Sequence, residues 1–337
     1  MNDKFQEECA LIGVIGDQEA ANYCYLGLYA MQHRGQEGAG IVSTDGNAMY
    51  AHRDMGLVSD VFEPETLSRL PGRSAVGHTR YATFGKKDWQ NLQPLVANFA
   101  DNSFAIAHNG NLINAAEIRA ELEKTGAIFS ATSDTEVVLH LIARATTENT
   151  IVKKTAAALS QIQGAYSLVV MTYNRLIAVR DPSGVRPLSL GKIKDAYVVA
   201  SETCAFDLIG ADFIREIAPG EILEITSDGR MSSSCLLEKA SPAFCVFEFV
   251  YFARPDSVME GKNVYSVRKA LGVELAKEHP ANADLVIPVP DSGTPSAVGY
   301  AQQVGLPLEF GLIRNHYVGR TFIEPKQSIR DFGVRVK

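Results

Sequence analysis

The chain has 337 residues, 46% hydrophobic and 21% charged, with 32 basic against 39 acidic side chains and a net charge of −7. That length exceeds one compact core and points to two domains, and the acidic balance argues against a nucleic-acid surface, which needs a basic stripe. No apolar run approaches the roughly 20 residues that span a bilayer, and Asp3, Lys4, Glu7 and Glu8 stand where a secretory signal has its apolar stretch, so no membrane contact is expected and the expected location is the cytoplasm.

In chain order, residues 9–16 read as a strand and residues 19–33 as a helix, with apolar positions recurring every three to four residues. GQEGAG (35–40) reads as a glycine-rich turn, and IVSTDG and AMYAHRDMG as neighbouring short strands joined at Asp45-Gly46. SAVGHTRYAT and FAIAHNGNL are two more strands, each ending in polar residues. NAAEIRAELEKTG is an amphipathic helix closed by Gly126, followed by helices in SDTEVVLHLIARA and IVKKTAAALSQIQG. Strands return in AYSLVVMTYN, RLIAVRDP, AYVVASET and GEILEITSDG. This order, with short links, predicts an α+β fold of stacked sheets covered by helices. Past SSSCLLEKASP the character changes: DLVIPVP reads as a buried strand, PSAVGYAQQVG as a helix and LPLEFGLIRN as the next strand, one βαβ unit of the parallel kind. One such unit is too little for an independently stable sheet domain. The chain is therefore expected to be a fragment, or to find its partner sheet elsewhere.

The five cysteines, Cys9, Cys24, Cys204, Cys235 and Cys245, form no CxxC pair, and the seven histidines show no ligand spacing. Neither a disulfide framework nor a self-contained metal site is expected. Cys9 itself admits two readings: a buried thiol at the start of a strand, or a nucleophile. Cutting after Glu8 would give Cys9 a free α-amine, with a reference pKa of about 8, as its own base. Asn109-Gly110 is either a tight hairpin turn or an oxyanion hole made from the Asn109 amide and the Gly110 N–H. Arg80, at a strand end, is a surface arginine or a fork for an α-carboxylate. Ser133 and Glu136 fit a capping box, which leaves Asp134 either to balance the helix dipole or to hold a substrate ammonium. Asp291, Ser292, Gly293 and Thr294 lie in a strand-to-helix loop of the type that binds pyrophosphate, without the Lys of a Walker loop.

Taken together, QHRGQEGAGI (32–41), GHTRYAT (77–83), AHNGNL (107–112), SDTE (133–136), VASETCAFD (199–207), VYFARPDS (250–257) and NHYVGRTFI (315–323) resemble the amidophosphoribosyltransferase family of class II glutamine amidotransferases, over essentially the whole chain from Glu8 onward. The resemblance implies a four-layer αββα N-terminal-nucleophile glutaminase domain over residues 9–240, after a propeptide of residues 1–8. It implies an incomplete α/β type I phosphoribosyltransferase domain over residues 241–337. In that scheme Cys9 attacks glutamine with its α-amine as base, Asn109 and Gly110 stabilise the oxyanion, and Arg80 and Asp134 grip the substrate. Ammonia then passes by a channel, with Tyr251 a lining residue, to phosphoribosyl pyrophosphate held with Mg2+. The stretch YVGRTFIEPKQSIR, containing Arg320, is the family's closing loop. Cys245 stands where some members have a [4Fe–4S] ligand, the other ligands lying past residue 337. Purine-nucleotide feedback and a homotetramer are further family expectations. Where the family has Gly after the nucleophile, this chain has Ala10.

Two alternatives stay open at this level: a stand-alone glutaminase subunit serving a separate partner, and a catalytically silent paralogue. The family's acidic Asp-Asp-Ser loop, followed by Arg-Gly-Thr-Thr, is expected beyond Lys337. The 337-residue chain by itself is accordingly expected to release no pyrophosphate from phosphoribosyl pyrophosphate with either glutamine or ammonia, which a pyrophosphate assay checks.

Overall fold

The structure, a computed structural model, describes residues 9–81, 89–99, 102–237 and 240–315. The chain divides into two compact units, Met1–Cys245 and Val246–Lys337, so the break falls after 245 where the sequence suggested 240.

The first unit contains β1 (Ala10–Ile15), α1 (Ala20–Ala30), β2 (Gly38–Thr44), β3 (Met49–Met55), the single-turn helices α2 (Val58–Val61) and α3 (Pro64–Leu67), β4 (Ser74–Arg80), β5 (Leu95–Phe99) and β6 (Asn102–Leu112). Then follow α4 (Ala115–Lys124), α5 (Thr135–Arg144), α6 (Ile151–Leu159), β7 (Gly164–Thr172), β8 (Arg175–Arg180), β9 (Ser189–Ile193), β10 (Ala196–Ala200), α7 (Cys204–Ile209), β11 (Asp212–Glu216), β12 (Ile222–Thr226) and β13 (Met231–Ser234). The strands form a seven-stranded sheet, β11-β9-β10-β1-β4-β2-β3, and a six-stranded sheet, β13-β12-β8-β7-β6-β5. Every ladder within both is antiparallel.

Side-chain alternation along β1 shows how the layers arise. Ile12 and Val14 pack with Cys24 and Leu28 of α1 and with Ala205 and Phe206 of α7. Leu11 and Ile15 face the other way, into a core shared with Ala105 and Ala107 of β6, Val169 and Met171 of β7, and Leu176 and Ala178 of β8. On the far side of the second sheet, Ile106, Leu168 and Val170 meet Val137, Val138, Leu141 and Ile142 of α5 and Leu159 of α6. Helix, sheet, sheet, helix is thus set by two opposite faces of each sheet, both apolar. A strand covered on both faces reads as a continuous apolar run, which is why β1, buried at all six positions, shows no alternation in sequence.

Two sequence readings are corrected here. Gly38, Ala39 and Gly40 are not a turn; they are buried in β2, paired with β4 and β3. Their small size admits the segment 92–94, because a Cβ on Gly40 would lie 2.2 Å from the Gln93 carbonyl oxygen. Arg53 of β3 reinforces that contact, donating from Nη1 to the carbonyls of Leu92 (2.9 Å) and Pro94 (3.3 Å). Asn109-Gly110 is not a hairpin turn either. Both residues lie within β6, opposite Ser167 and Tyr166 of β7. The Asp45-Gly46 turn does join β2 to β3, with Asp45 accepting from the N–H groups of Asn47 and Ala48.

The second unit has a π-helical turn (Glu248–Phe252), a two-residue hairpin, α8 (Val264–Glu278) and α9 (Thr294–Val304). The guanidinium of Arg268, buried on α8, donates to the carbonyls of Phe249 (2.6 Å) and Ala253 (2.8 Å) and so ties that turn to the helix. Helix α9 is where PSAVGYAQQVG placed it, but the two flanking strands are not formed. DLVIPVP and LPLEFGLIRN meet only in one parallel bridge, Val286 with Leu308. Pro288 and Pro290 lack N–H donors, and among the described residues no further strand lies alongside to build a ladder, so Leu285, Ile287 and Val289 remain 41–69% exposed.

The tight contact at Gly40 carries a prediction. Gly40→Ala forces a methyl against the Gln93 carbonyl and is expected to cost about 1–3 kcal/mol, read as a lower urea midpoint of unfolding.

Candidate functional site

Antiparallel pairing of β1 with β4 sets Ala10 opposite Thr79. Cys9 therefore emerges from the sheet beside Arg80 and Tyr81, and its Sγ lies 3.7 Å from the Tyr81 carbonyl oxygen. Ala10 is fully buried in the core under α1, so its methyl replaces the family's glycine without entering the cavity. Across the gap between sheets, β6 brings His108, Asn109 and Gly110, and the ring of His78 on β4 meets the His108 carbonyl, Nε2 to O 3.1 Å. The start of α5 adds Ser133 and Asp134. Cys9, His78, Arg80, Tyr81, Asn91, Gln93, His108, Gly110, Ser133 and Asp134 line one cavity of about 30 Å³. That volume holds a water or two. Asn109 lies directly behind this wall, fully buried.

Gly110 has φ +152°, and a Cβ there would meet the Ala165 carbonyl oxygen at 2.1 Å. Only glycine fits, and its backbone is thereby presented at the cavity. The Asn109 amide is buried with neither its oxygen nor its nitrogen hydrogen-bonded, as are Nε2 of His108 and Nδ1 of His78. Buried polar atoms are normally satisfied, and such a cluster beside a thiol is the expected signature of groups reserved for a reacting molecule.

Asp134 accepts from the Leu112 N–H at 3.0 Å and lies 3.6 Å from His108 Nδ1. Burial alone pushes its carboxyl up, but His108, by charge and hydrogen bond, and the N–H groups of Leu112 and Thr135 outweigh it and hold the group below the usual carboxylate range. The carboxylate is therefore ionised at neutral pH. The expected capping box takes another form: Ser133 Oγ accepts from the Thr135 N–H at 3.2 Å, while Glu136 turns back to the N–H groups of Ser130 (2.8 Å) and Ala131 (2.7 Å).

Sequence reasoning missed His78, Asn91, Gln93 and His108. Their signal is faint but present: Asn91 and Gln93 alternate with the buried Leu92, and His78 and Arg80 alternate along a strand that is buried throughout.

Residues 1–8 and Arg320 lie outside the described residues. Tyr251 belongs to the π-helical turn of the second unit, its ring edge-on to Phe252. Asp291 ion-pairs with Arg314, and the N–H groups of Gly293 and Thr294 are engaged by the carbonyls of Val289 and Asp291. With Pro295 next, Ser292 and Ser296 carry the other N–H groups at this helix start. Cys245 is half-buried. Among the described residues no group of three or more His, Cys, Asp or Glu could hold a metal ion, so these residues do not themselves compose a cluster site. No helix among them is long and apolar enough to cross a membrane.

Burial of His78 carries a measurable consequence. Desolvation lowers its pKa from 6.5 to about 3. Between those values the unfolded chain binds a proton that the folded protein does not, so folding stability falls as the pH drops from 6.5 towards 3. The slope is about 1.4 kcal/mol per pH unit from this group. In urea unfolding at pH 6 and pH 4, His78→Gln is expected to be less acid-sensitive than the parent.

A sequence profile for the glutamine amidotransferase domain matches residues 78–207, a span holding Arg80, Asn109, Gly110 and Asp134. The chain is 53% identical over 340 residues to the amidophosphoribosyltransferase of Rhizobium etli, covering 99% of this chain and 68% of that protein. It is 49% identical over 332 residues to the Bacillus subtilis enzyme of the same name, covering 98% and 69%, and 52% identical over 338 residues to the chloroplastic one of Glycine max, covering 100% and 59%. Among solved structures, the B. subtilis glutamine phosphoribosylpyrophosphate amidotransferase complexed with ADP and GMP superposes with a TM-score of 0.89 at 48% identity, over 98% of this chain and 71% of that one. At this identity over nearly its whole length, and with the same fold, the chain belongs to the amidophosphoribosyltransferase family.

Proposed function

We propose that this chain carries the glutamine-hydrolysing half of an amidophosphoribosyltransferase, the enzyme that transfers the amide nitrogen of glutamine to phosphoribosyl pyrophosphate in purine biosynthesis. One observation supports this above the others: Cys9, Arg80, Gly110 and Asp134, drawn from four separate segments, share one buried cavity. With the Glu8–Cys9 bond cut, the α-amine of Cys9 takes the thiol proton. Sγ attacks the side-chain amide carbon of glutamine, and the oxyanion is met by the Gly110 N–H and the Asn109 amide. Collapse of the tetrahedral intermediate expels ammonia and leaves a thioester, which water hydrolyses to glutamate. Arg80 and Asp134 hold the α-carboxylate and α-ammonium, and their burial strengthens both contacts.

The ammonia then displaces pyrophosphate from phosphoribosyl pyrophosphate at a phosphoribosyltransferase site begun in the second unit, with Ser292 a donor at the start of α9. Mg2+, when bound, would neutralise that pyrophosphate; among the described residues no group of three or more His, Cys, Asp or Glu could hold it. The ADP and GMP in the B. subtilis structure support purine nucleotides as regulatory ligands here too. We extend the family's cytoplasmic homotetramer to this protein on the same resemblance.

Cys9→Ala is expected to lower glutamine hydrolysis at least about 1,000-fold. Intact mass of the purified parent is expected to show residues 1–8 removed. Equal glutaminase activity in parent and Cys9→Ala would refute the mechanism and favour a silent paralogue.

A further inference from the structure

We propose that Gln93 is a positioning residue that sets the distance between the oxyanion end and the ammonium end of the substrate site, and so the preference for glutamine over its shorter homologue asparagine. The inference rests on the glutamine-hydrolysing reading above.

The two ends of the site are carried by different elements. Asn109 and Gly110 belong to β6; Asp134 belongs to the start of α5. Gln93 is buried between them and lines the same cavity. Its Oε1 accepts from the His108 N–H at 2.7 Å, immediately before Asn109. Its Nε2 donates to the Thr135 hydroxyl at 3.0 Å, immediately after Asp134. One planar amide thus joins the residues flanking both halves of the site. The His108 ring strengthens the joint, with Nδ1 3.2 Å from the same hydroxyl.

A brace works only if its own base is fixed, and this one is. The main chain of 92–94 is gripped by Arg53 and pressed against the bare backbone of Gly40. Two residues earlier, Asn91 makes a parallel tie: its Nδ2 donates to the Thr132 hydroxyl at 2.9 Å and its Oδ1 accepts from the Thr132 N–H at 2.8 Å. Asn91 ties to the loop before α5, whereas Gln93 ties both to α5 and to β6. The direct bond from the Leu112 N–H to Asp134 orients the carboxylate itself; Gln93 holds the backbone on either side of the gap. Glutamine and asparagine differ by one methylene between amide and α-carbon, and a rigid spacing between the two anchors rejects the shorter one by leaving one anchor unmet.

In the intact protein, Gln93→Leu keeps the bulk and removes both hydrogen bonds. It is expected to lower kcat/KM for glutamine about tenfold and the glutamine-over-asparagine ratio of kcat/KM about fivefold. Thr135→Val cuts the α5 end, together with the hydroxyl's contacts to His108 Nδ1 and Asp134 Oδ1, and is expected to lower that ratio by at least a similar factor. Because both changes break the Gln93–Thr135 link, the double variant should lose less preference than the product of the two singles. A fall in overall rate with the ratio held within about twofold overturns the proposal and leaves Gln93 as ordinary packing. A double variant whose loss is the product of the two singles overturns it as well. If Gln93→Leu does not fold, the ratio in Thr135→Val decides alone. An inactive Cys9→Ala beside an unchanged Gln93→Leu ratio sinks only this inference; an active Cys9→Ala sinks the reading beneath it.

Discussion

The site depends on one constraint: polar groups buried between two apolar sheets must find partners. At the end of the inter-sheet core, Leu11, Ala105 and Val169 give way to Cys9, His78 and His108, where buried polar atoms have little water to bond. Leaving such atoms unpaired costs roughly 1–3 kcal/mol each. Most of the cluster is therefore satisfied internally. Gln93 bridges His108 and Thr135, Asn91 pairs with Thr132, and Asp134 takes the Leu112 N–H. The atoms left over are those of Asn109 and one nitrogen each of His78 and His108. A satisfied frame around a few unsatisfied atoms localises the cost where a substrate can repay it.

The frame is anchored outside the cavity by equally buried charges. Arg34, fully buried, ion-pairs with Glu202, whose Oε1 also lies 2.7 Å from His33 Nε2. A buried pair of this kind adds little net stability but is costly to break from one side, so it fixes the 32–34 turn against the segment after β10. Gly35 then runs against the backbone of Arg80, where a Cβ would come within 2.7 Å. The guanidinium proposed to meet the substrate is thereby held at its root by packing of main chain on main chain.

Periodicity made much of the fold legible. Helices α4, α5 and α6 and strands β1, β7, β8, β10 and β12 lie where local patterns placed them. The failures have specific causes. GAG in β2 looks like a turn because glycine is usually read for its flexibility, whereas here it is used for its lack of a side chain. Asn109-Gly110 looks like a hairpin because the short-range signal is the same for a turn and for a strand position that must be glycine. DLVIPVP looks like a strand because apolar content predicts burial, but a ladder needs a neighbour, and the Val286–Leu308 bridge is all that the described residues supply.

By itself the sequence carried most of the elements, the family, and the candidate thiol, arginine, asparagine-glycine pair and carboxylate, because each is carried by a short contiguous motif. It could not determine that these motifs meet, nor that Gln93, Asn91, His78 and His108 bond to distant segments around them. Those residues act through partners 15 to 42 positions away in sequence. Local pattern records what a residue does for its own strand or helix. Only the stacking of two sheets, closed by the packing of α5, decides which distant backbone groups it must satisfy.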